Sequence, residues 1–355
     1  MTFNKEVVKI GFAYVGVVVG AGFSTGQEVM QFFTGYGLYS YIGILLSGLI
    51  LAFIGRQVAK IGTAFDAENH QSTLTYLFGN KVSLAIDYFL VFFLFLTSVT
   101  MIAGAGSTFQ ESYGIPTWLG SLIMTIVIFL TLLMDFNKIV RALGMVTPFL
   151  IAMVIIIAVV YLFKGEVSIP DINKTVPDTN PILGVWNGIL YGGLAFAVGF
   201  STIVAIGGDA SKRKVSGAGA LFGGIVYAIL LALINFALQV EYPNIKDAAI
   251  PTLSLANGIH PWIVFVLSII MLAVMYNTIL GLTYAFVARF TKPYSKKYYV
   301  FIIVTMAVAY GLSFIGFEGL IDILYPIIGY IGLIIAIAVL VKYFYRKSKD
   351  KKYIA

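Results

Sequence analysis

The chain has 355 residues, which in a soluble protein would suggest about two or three domains, but 60% of it is hydrophobic and only 11% is charged. That is too little charge to cover a water-facing surface, and several apolar runs exceed the ~18 residues that read as a membrane-spanning helix. Soluble enzymes, nucleic-acid-binding domains and secreted scaffolds are therefore excluded as the main class. The chain has no cysteine, hence no disulfides, thiolate metal sites or thiol nucleophiles. Two histidines, His70 and His260, leave little for a histidine metal centre.

In chain order, apolar runs between polar punctuation predict an all-α membrane protein of ten transmembrane helices, at about 7–33, 37–58, 82–112, 116–134, 139–163, 183–207, 215–240, 261–290, 297–316 and 319–343. The third and eighth are longer than a bilayer needs and are expected to tilt or protrude. The first run begins behind only a short polar start, Met1 to Glu6, so no cleaved signal peptide is expected.

With the N-terminus inside, 20 of the 23 Lys and Arg fall on one side, including Lys5, Lys9, Lys138, Arg141, Arg289 and six from Lys342 to Lys352; only Lys164, Lys174 and Lys246 fall on the other. Positive residues favour the cytoplasmic side, which predicts a multi-pass protein of the plasma (cytoplasmic, inner) membrane with both termini in the cytoplasm. The net charge of +7 then anchors the topology beside anionic lipid. The partners expected are the lipid bilayer and a small-molecule solute, with no nucleic acid; the fold can operate as a monomer.

The sequence also repeats. Tyr14-x-Gly16-x5-Gly22-Phe23-Ser24-Thr25 in span one matches Tyr191-x-Gly193-x5-Gly199-Phe200-Ser201-Thr202 in span six at an offset of 177, and the same offset carries spans two to five onto seven to ten. Five spans per half is odd, so the second half is inverted, as in carriers that work by alternating access. The expected organisation is a first five-helix repeat over 1–165, an outer loop over 166–182, a second, inverted repeat over 183–345 and a basic cytoplasmic tail over 346–355.

Both repeat-leading spans are glycine-rich near their middles: Val19-Gly20-Ala21-Gly22-Phe23-Ser24-Thr25-Gly26, and Gly192-Gly193 followed by Phe196-Ala197-Val198-Gly199. A break here would leave peptide groups unpaired in lipid, tolerable only where a ligand, ion or water-lined cavity satisfies them. Its helix ends suit a carboxylate on one side and Na⁺ or an ammonium on the other. The alternative is that these glycines only let helices pack closely.

Val19-Gly20-Ala21-Gly22 and Val198-Gly199-Phe200 resemble the unwound segments of LeuT-fold carriers of the amino acid–polyamine–organocation superfamily. GAGFSTGQE more narrowly resembles the YkvI-type bacterial membrane proteins. The resemblance implies that amides of Gly20, Ala21 and Gly22 hold a substrate carboxylate, and that carbonyls of Ala195, Phe196 and Ala197 hold its amino group. It also implies a Na⁺ site from Gly16, Val19, Val274, Asn277 and Thr278, with Asn277 departing from the usual hydroxyl. Val17 and Phe23 occupy the polar places of a second sodium site, so a second sodium is not expected. Span five has no lysine between Arg141 and Lys164 to replace sodium with a proton system. No organic cofactor is implied.

Other polar residues are weighed singly. A carboxylate at membrane depth is costly, ~2.5–3.5 kcal/mol on insertion scales for Asp at the centre, which singles out Glu28 as a gating or coupling residue: a cation ligand, a proton carrier or a gate, or else a carboxylate in the water-filled outer vestibule or one hydrogen-bonded to Gln31 and Tyr36. Ser24, Phe23, Gly199 and Phe200 border the expected site. Thr97 and Thr100 share a face of span three and either line the site or bond back to the preceding turn. Tyr276 and Asn277 are placed to line it from span eight. Asn235 is expected to join helices. Asp87 is expected to cap its helix or pair with Lys81, His70 and His260 to lie on the surface, and 241–260 to form a short lid helix. No catalytic motif is present, so an enzyme is not expected. The function expected is a secondary active carrier of a small polar or zwitterionic solute, an amino acid or a related amine or acid, coupled to Na⁺ by alternating access; the alternatives are an H⁺-coupled carrier, a transporter-like receptor and a passive channel.

Overall fold

The computed structural model describes residues 3–67, 69–134, 147–164, 172–176, 180–292 and 295–349. The start of the expected fifth span, Lys138, Arg141 and the last residues of the tail lie outside them.

The first span is three pieces. Helix α1 (Phe3–Val18) stops at Val19, α2 (Ala21–Thr25) is barely more than a turn, and α3 (Gln27–Phe32) follows. Gly20 is extended, at φ −79° and ψ −177°, and Gly26 takes the left-handed conformation at φ 79°. Only glycine adopts the latter at little cost. The second span runs through a 3₁₀ segment, Thr34–Tyr39, into α4 (Ser40–Leu49), a π turn and α5 (Gly55–Ala64). Helix α6 (Gln71–Tyr113) bends sharply at Gly79 and is followed by α7 (Thr117–Leu132), α8 (Thr147–Lys164) and the short α9 (Ile172–Thr175).

The second half begins with α10 (Pro181–Gly208) and α11 (Arg213–Val240), passes through the short α12 (Tyr242–Ile245) and α13 (Pro251–Asn257), and ends with α14 (Pro261–Phe290), α15 (Lys296–Ser313) and α16 (Phe317–Lys349). Asn180 caps α10 by accepting from the Ile182 N–H at 2.9 Å, with Pro181 in the first turn, a favourable helix start.

Among the described residues six helices are long and apolar enough to cross a membrane, and Thr117–Leu132 and Pro148–Lys164 are shorter apolar helices. The first and ninth expected spans correspond to the α1–α3 series and to α15, which are outside that set. Large apolar side chains such as Leu45, Leu130, Ile229, Val300 and Ile337 are exposed around the bundle. That much uncovered apolar surface suits lipid rather than water, and the protein is a multi-pass membrane protein.

The expected break in span six is absent: α10 runs as one helix through Ala195–Gly199. The offset of 177 explains the difference. Gly20 and Gly26 have Ala197 and Ile203 as counterparts, so α10 keeps one of the three glycines, and a lone glycine costs a helix only about 1 kcal/mol. The α10 glycines serve close packing instead. A methyl group on Gly193 would overlap the Gly329 carbonyl of α16, and one on Gly188 would overlap Gly43 of α4. The halves exchange partners, α1 lying on α11 and α10 on α4 and α5, while α6 packs on α14 between them.

Candidate functional site

At the break in span one, the Val19 N–H closes the last turn of α1 on the Val15 carbonyl at 2.7 Å, and the next backbone bond is Ser24 N–H to Gly20 carbonyl at 3.3 Å. The carbonyls of Gly16 to Val19 therefore lack backbone donors among the described contacts, as expected where a helix ends. The Thr25 hydroxyl folds back to donate to the Gly22 carbonyl at 2.6 Å.

Glu28 lies directly against this break. Its carboxylate fills the space a side chain on Gly22 would need. It is half-buried and bonded neither to Gln31 nor to Tyr36; the Tyr36 hydroxyl instead accepts from Asn187 at 3.0 Å. The Tyr191 hydroxyl of α10 donates to Glu28 Oε2 at 3.1 Å, and the Tyr325 hydroxyl of α16 bonds the same carboxylate. Tyr227 of α11 lies 2.5 Å from Tyr191, hydroxyl to hydroxyl. Since Tyr191 gives its proton to Glu28, Tyr227 donates in turn to Tyr191. Aromatic rings close the surroundings: Phe23 on Tyr227 at 5.4 Å, with Phe32 and Phe33 on Tyr191 at 5.3 and 5.0 Å. Among the described residues no Lys, Arg or His pairs with Glu28.

The tyrosines were not singled out from sequence. Tyr191 was legible only as the repeat mate of Tyr14, and nothing local marks Tyr227 or Tyr325, since a tyrosine in an apolar helix reads as core until its neighbours are known.

The remaining expected site residues divide. Phe196 and Phe200 are fully buried and meet edge to face at 5.7 Å. With α10 intact, the carbonyls of Ala195, Phe196 and Ala197 are spanned by helix and are not the free acceptors expected. Gly199 makes room for Val18 and Tyr14. Thr97 and Thr100 donate to Phe93 and Leu96 carbonyls at 2.8 and 3.1 Å, the local bonding that hydroxyls favour in helices. Tyr276 turns to α7, its hydroxyl 2.6 Å from Thr131 Oγ1.

The residues for the sodium ion that the resemblance implies fit better. Tyr276 faces α7, and Met275 meets Thr108 of α6, so Val274, Asn277 and Thr278 occupy the remaining face of α14, a helix that also packs on α2. Asn277 Oδ1 is buried with no hydrogen-bond partner, and a buried acceptor left unfilled is costly. Asn277 Oδ1, the Thr278 hydroxyl and the α1 carbonyls that lack backbone donors are oxygen ligands, the type a hard cation takes, while the Val274 carbonyl is spanned by α14.

Helix α13 covers the break. The Thr252 hydroxyl donates to the Ser24 carbonyl at 2.6 Å, the Ile250 N–H donates to Glu111 Oε1 at 3.0 Å, and the Tyr161 hydroxyl donates to the Leu255 carbonyl at 3.0 Å. The expected lid over 241–260 is thus two short helices, the second seated on the break.

At the opposite, basic end, His70 is not a free surface residue. Its Nε2 lies 2.9 Å from Asp87 Oδ1 and its Nδ1 2.8 Å from the Ser201 hydroxyl, while Arg289 pairs with the other Asp87 oxygen. Asp87 thus pairs with Arg289 of α14 rather than Lys81, which local spacing could not reveal. His260 is exposed as expected and caps α14, accepting from the Trp262 N–H at 3.1 Å. At the same end a cavity of about 700 Å³ is lined by Glu6, Lys9, Ile10, Ala13, Ile206 and Asp209, among others.

No family model matches the chain. It is similar to the membrane protein YkvI of Bacillus subtilis (strain 168), 28% identical with 94% of this chain and 95% of the relative covered. It is also similar to the protein YyaD of the same organism, 24% identical over 92% of this chain and 94% of the relative. Among solved structures it resembles MhsT in complex with L-phenylalanine, with a TM-score of 0.59, 15% identity and coverage of 95% of this chain and 98% of that one. It resembles the inward-facing conformation of Mhp1 at a TM-score of 0.58 and 14% identity, covering 99% of this chain and 78% of that one. The Eremococcus coleocola manganese transporter, in complex with an aromatic bis-isothiourea substituted compound, matches at a TM-score of 0.54 and 15% identity, over 98% of this chain and 73% of that one. The chain has the fold of these proteins.

Proposed function

We propose that the protein is a secondary active transporter that moves a small polar or zwitterionic solute, an amino acid or a related amine or acid, by alternating access. The observation that carries this reading is the break at Val19–Gly20 with an uncompensated carboxylate packed against it, inside a fold shared with a solved manganese transporter. Bare peptide groups and an unpaired carboxylate at membrane depth are unfavourable unless a guest satisfies them. The two halves are inverted copies, the basic end faces the cytoplasm by the positive-inside rule, and a monomer suffices. Sodium is the coupling ion: carbonyls of Gly16 and Val19 with Val274, Asn277 and Thr278 would hold it, and its charge would tie α14 to the end of α1.

Uptake of radiolabelled amino acids and amines into proteoliposomes, with and without a sodium gradient, tests the proposal. Accumulation that follows the gradient supports it. Binding without accumulation would make the protein a receptor, and flux indifferent to any ion gradient a channel or uniporter.

A further inference from the structure

We infer that the basic end carries a binding site for a phosphate group, between α5 and the start of α11, at the level where lipid headgroups stand. The site is separate from the break and stands whether or not the protein is a carrier.

Four cations from two helices converge there. Arg56 and Lys60 lie one turn apart on α5, and both side-chain stems run past Gly217 of α11, where a methyl group would meet Lys60 Cε and Arg56 Cγ. Arg213 of α11 reaches across and donates from Nε to the Lys60 carbonyl at 3.4 Å. Lys60 is near enough to Arg56, Arg213 and Lys214 to be repelled by all three. Among the described residues no acid pairs with Arg56, Lys60 or Lys214, and the Glu6 carboxylate is taken by Ser211. Helix α11 starts with no side-chain cap and no acid in its first turn, so its cations also oppose the positive end of the helix dipole. Crowding of this kind is unfavourable without an anion. A phosphate relieves it, since it suits both the arginine fork and a helix N-terminus. The positive-inside rule asks for cations on this side, but not for four about one point.

The cluster is also built in place. Thr63 Oγ1 lies 2.7 Å from both Ser216 Oγ and the Gly207 carbonyl, which ties α5, α10 and α11 together beside the cations. Arg56 and Lys60 are half-buried, while Lys214 is exposed. Ile225 and Ile229 are exposed too, and follow Lys214 on one face of α11 by about three and four turns. The cations thus end a stripe that lipid tails cover, where a phospholipid would set its phosphate.

The test uses the purified full-length protein in a neutral detergent at constant ionic strength, with apparent affinities from thermal stabilisation. Two phosphate-bearing probes are set against phosphate-free partners: dioleoyl phosphatidylglycerol against dioleoylglycerol, and inorganic phosphate against chloride. At least one phosphate-bearing probe is expected to stabilise beyond its partner. Stabilisation by phosphatidylglycerol alone makes a lipid headgroup the source, and stabilisation by inorganic phosphate makes a free phosphate sufficient. Arg56→Gln with Lys60→Gln is expected to weaken the effective probe by about tenfold or more, and Lys60→Gln alone by about fivefold. The single variant decides if the double one does not fold. A matched pair at the same end but outside the cluster, Lys292→Gln with Lys296→Gln, should stay within about twofold, as screened exposed charges do. The inference is overturned if neither phosphate-bearing probe outdoes its partner, if the α5 variants bind it as the wild type does, or if the matched pair loses as much affinity as they do.

Discussion

His70 stands 2.8 Å from Ser201 across 131 residues of sequence, its ring held from the other side by Asp87. Ser201 belongs to α10, while Asp87 and its second partner Arg289 belong to α6 and α14. One imidazole therefore links the helix opposite the break to the α6–α14 pair. Asp87 is buried and Arg289 reaches solvent, its side chain one-third exposed, so Asp87→Ala leaves a cation that water can partly recover. It is expected to lower stability by about 1–3 kcal/mol, below the cost of stranding a fully buried charge. His70→Ala should cost less, about 1 kcal/mol. Thermal unfolding in detergent checks both, and equal midpoints for wild type and Asp87→Ala would refute the link.

The seating of α13 on the break predicts a change in access. Thr252→Val keeps shape but removes the bond to the Ser24 carbonyl, worth about 1 kcal/mol. Because the chain contains no cysteine, a single Phe23→Cys reporter can be alkylated without background. Labelling should speed up by about fivefold when Thr252→Val is added; an unchanged rate would show that α13 does not control entry.

Asn277→Ala and Thr278→Ala test the cation site. Asn277→Ala should leave folding intact, because Asn277 Oδ1 makes no bond to lose. The extra ligand affinity seen when K⁺ is exchanged for Na⁺ should fall by about tenfold, a typical coupling between two sites. Full sodium dependence in both variants would remove these residues from the site.

Gly26 is the hinge at which left-handed backbone is required. Gly26→Ala meets both an unfavourable φ of 79° and close contact with Thr252 and Pro251, and should cost about 1–3 kcal/mol. Gly114, also at positive φ, has open space around it, so Gly114→Ala should cost about 1 kcal/mol from backbone strain alone. Comparing the two unfolding midpoints separates backbone strain from packing.

At the cavity mouth, the Ser211 backbone N–H and then its hydroxyl donate to Glu6, each at 2.8 Å, and hold its carboxyl below the usual 4.5. A carboxylate with a lowered folded-state pKa stabilises above its unfolded value, and that contribution disappears as pH falls through the folded value. Midpoints of wild type and Glu6→Gln should therefore differ at neutral pH and converge as pH falls below the usual 4.5 and through the lowered folded-state value. Curves parallel down to that pH would show that the contact contributes nothing.

Sequence alone determined that this is a helical membrane protein, where most helices lie, that span one carries a break, that Glu28 is unusual and that 241–260 holds a short helix. These follow from local rules: apolar run length, the cost of a carboxylate in lipid and the density of glycine in Val19–Gly26. Tertiary structure decided which glycines break a helix and which admit a neighbour. Gly193 and Gly199 match Gly16 and Gly22 in sequence and are filled by other helices, while the break falls at Gly20 and Gly26, whose counterparts are Ala197 and Ile203; a lone glycine weakens a helix only slightly, and packing sets the outcome. It also decided the partners of the polar groups. Thr97 and Thr100 satisfy themselves within their own turns and Tyr276 is taken by Thr131, while Glu28 is met by hydroxyls 163 and 297 residues away. Hydrogen bonds act over about 3 Å, so partners that distant along the chain are fixed only when the helices assemble.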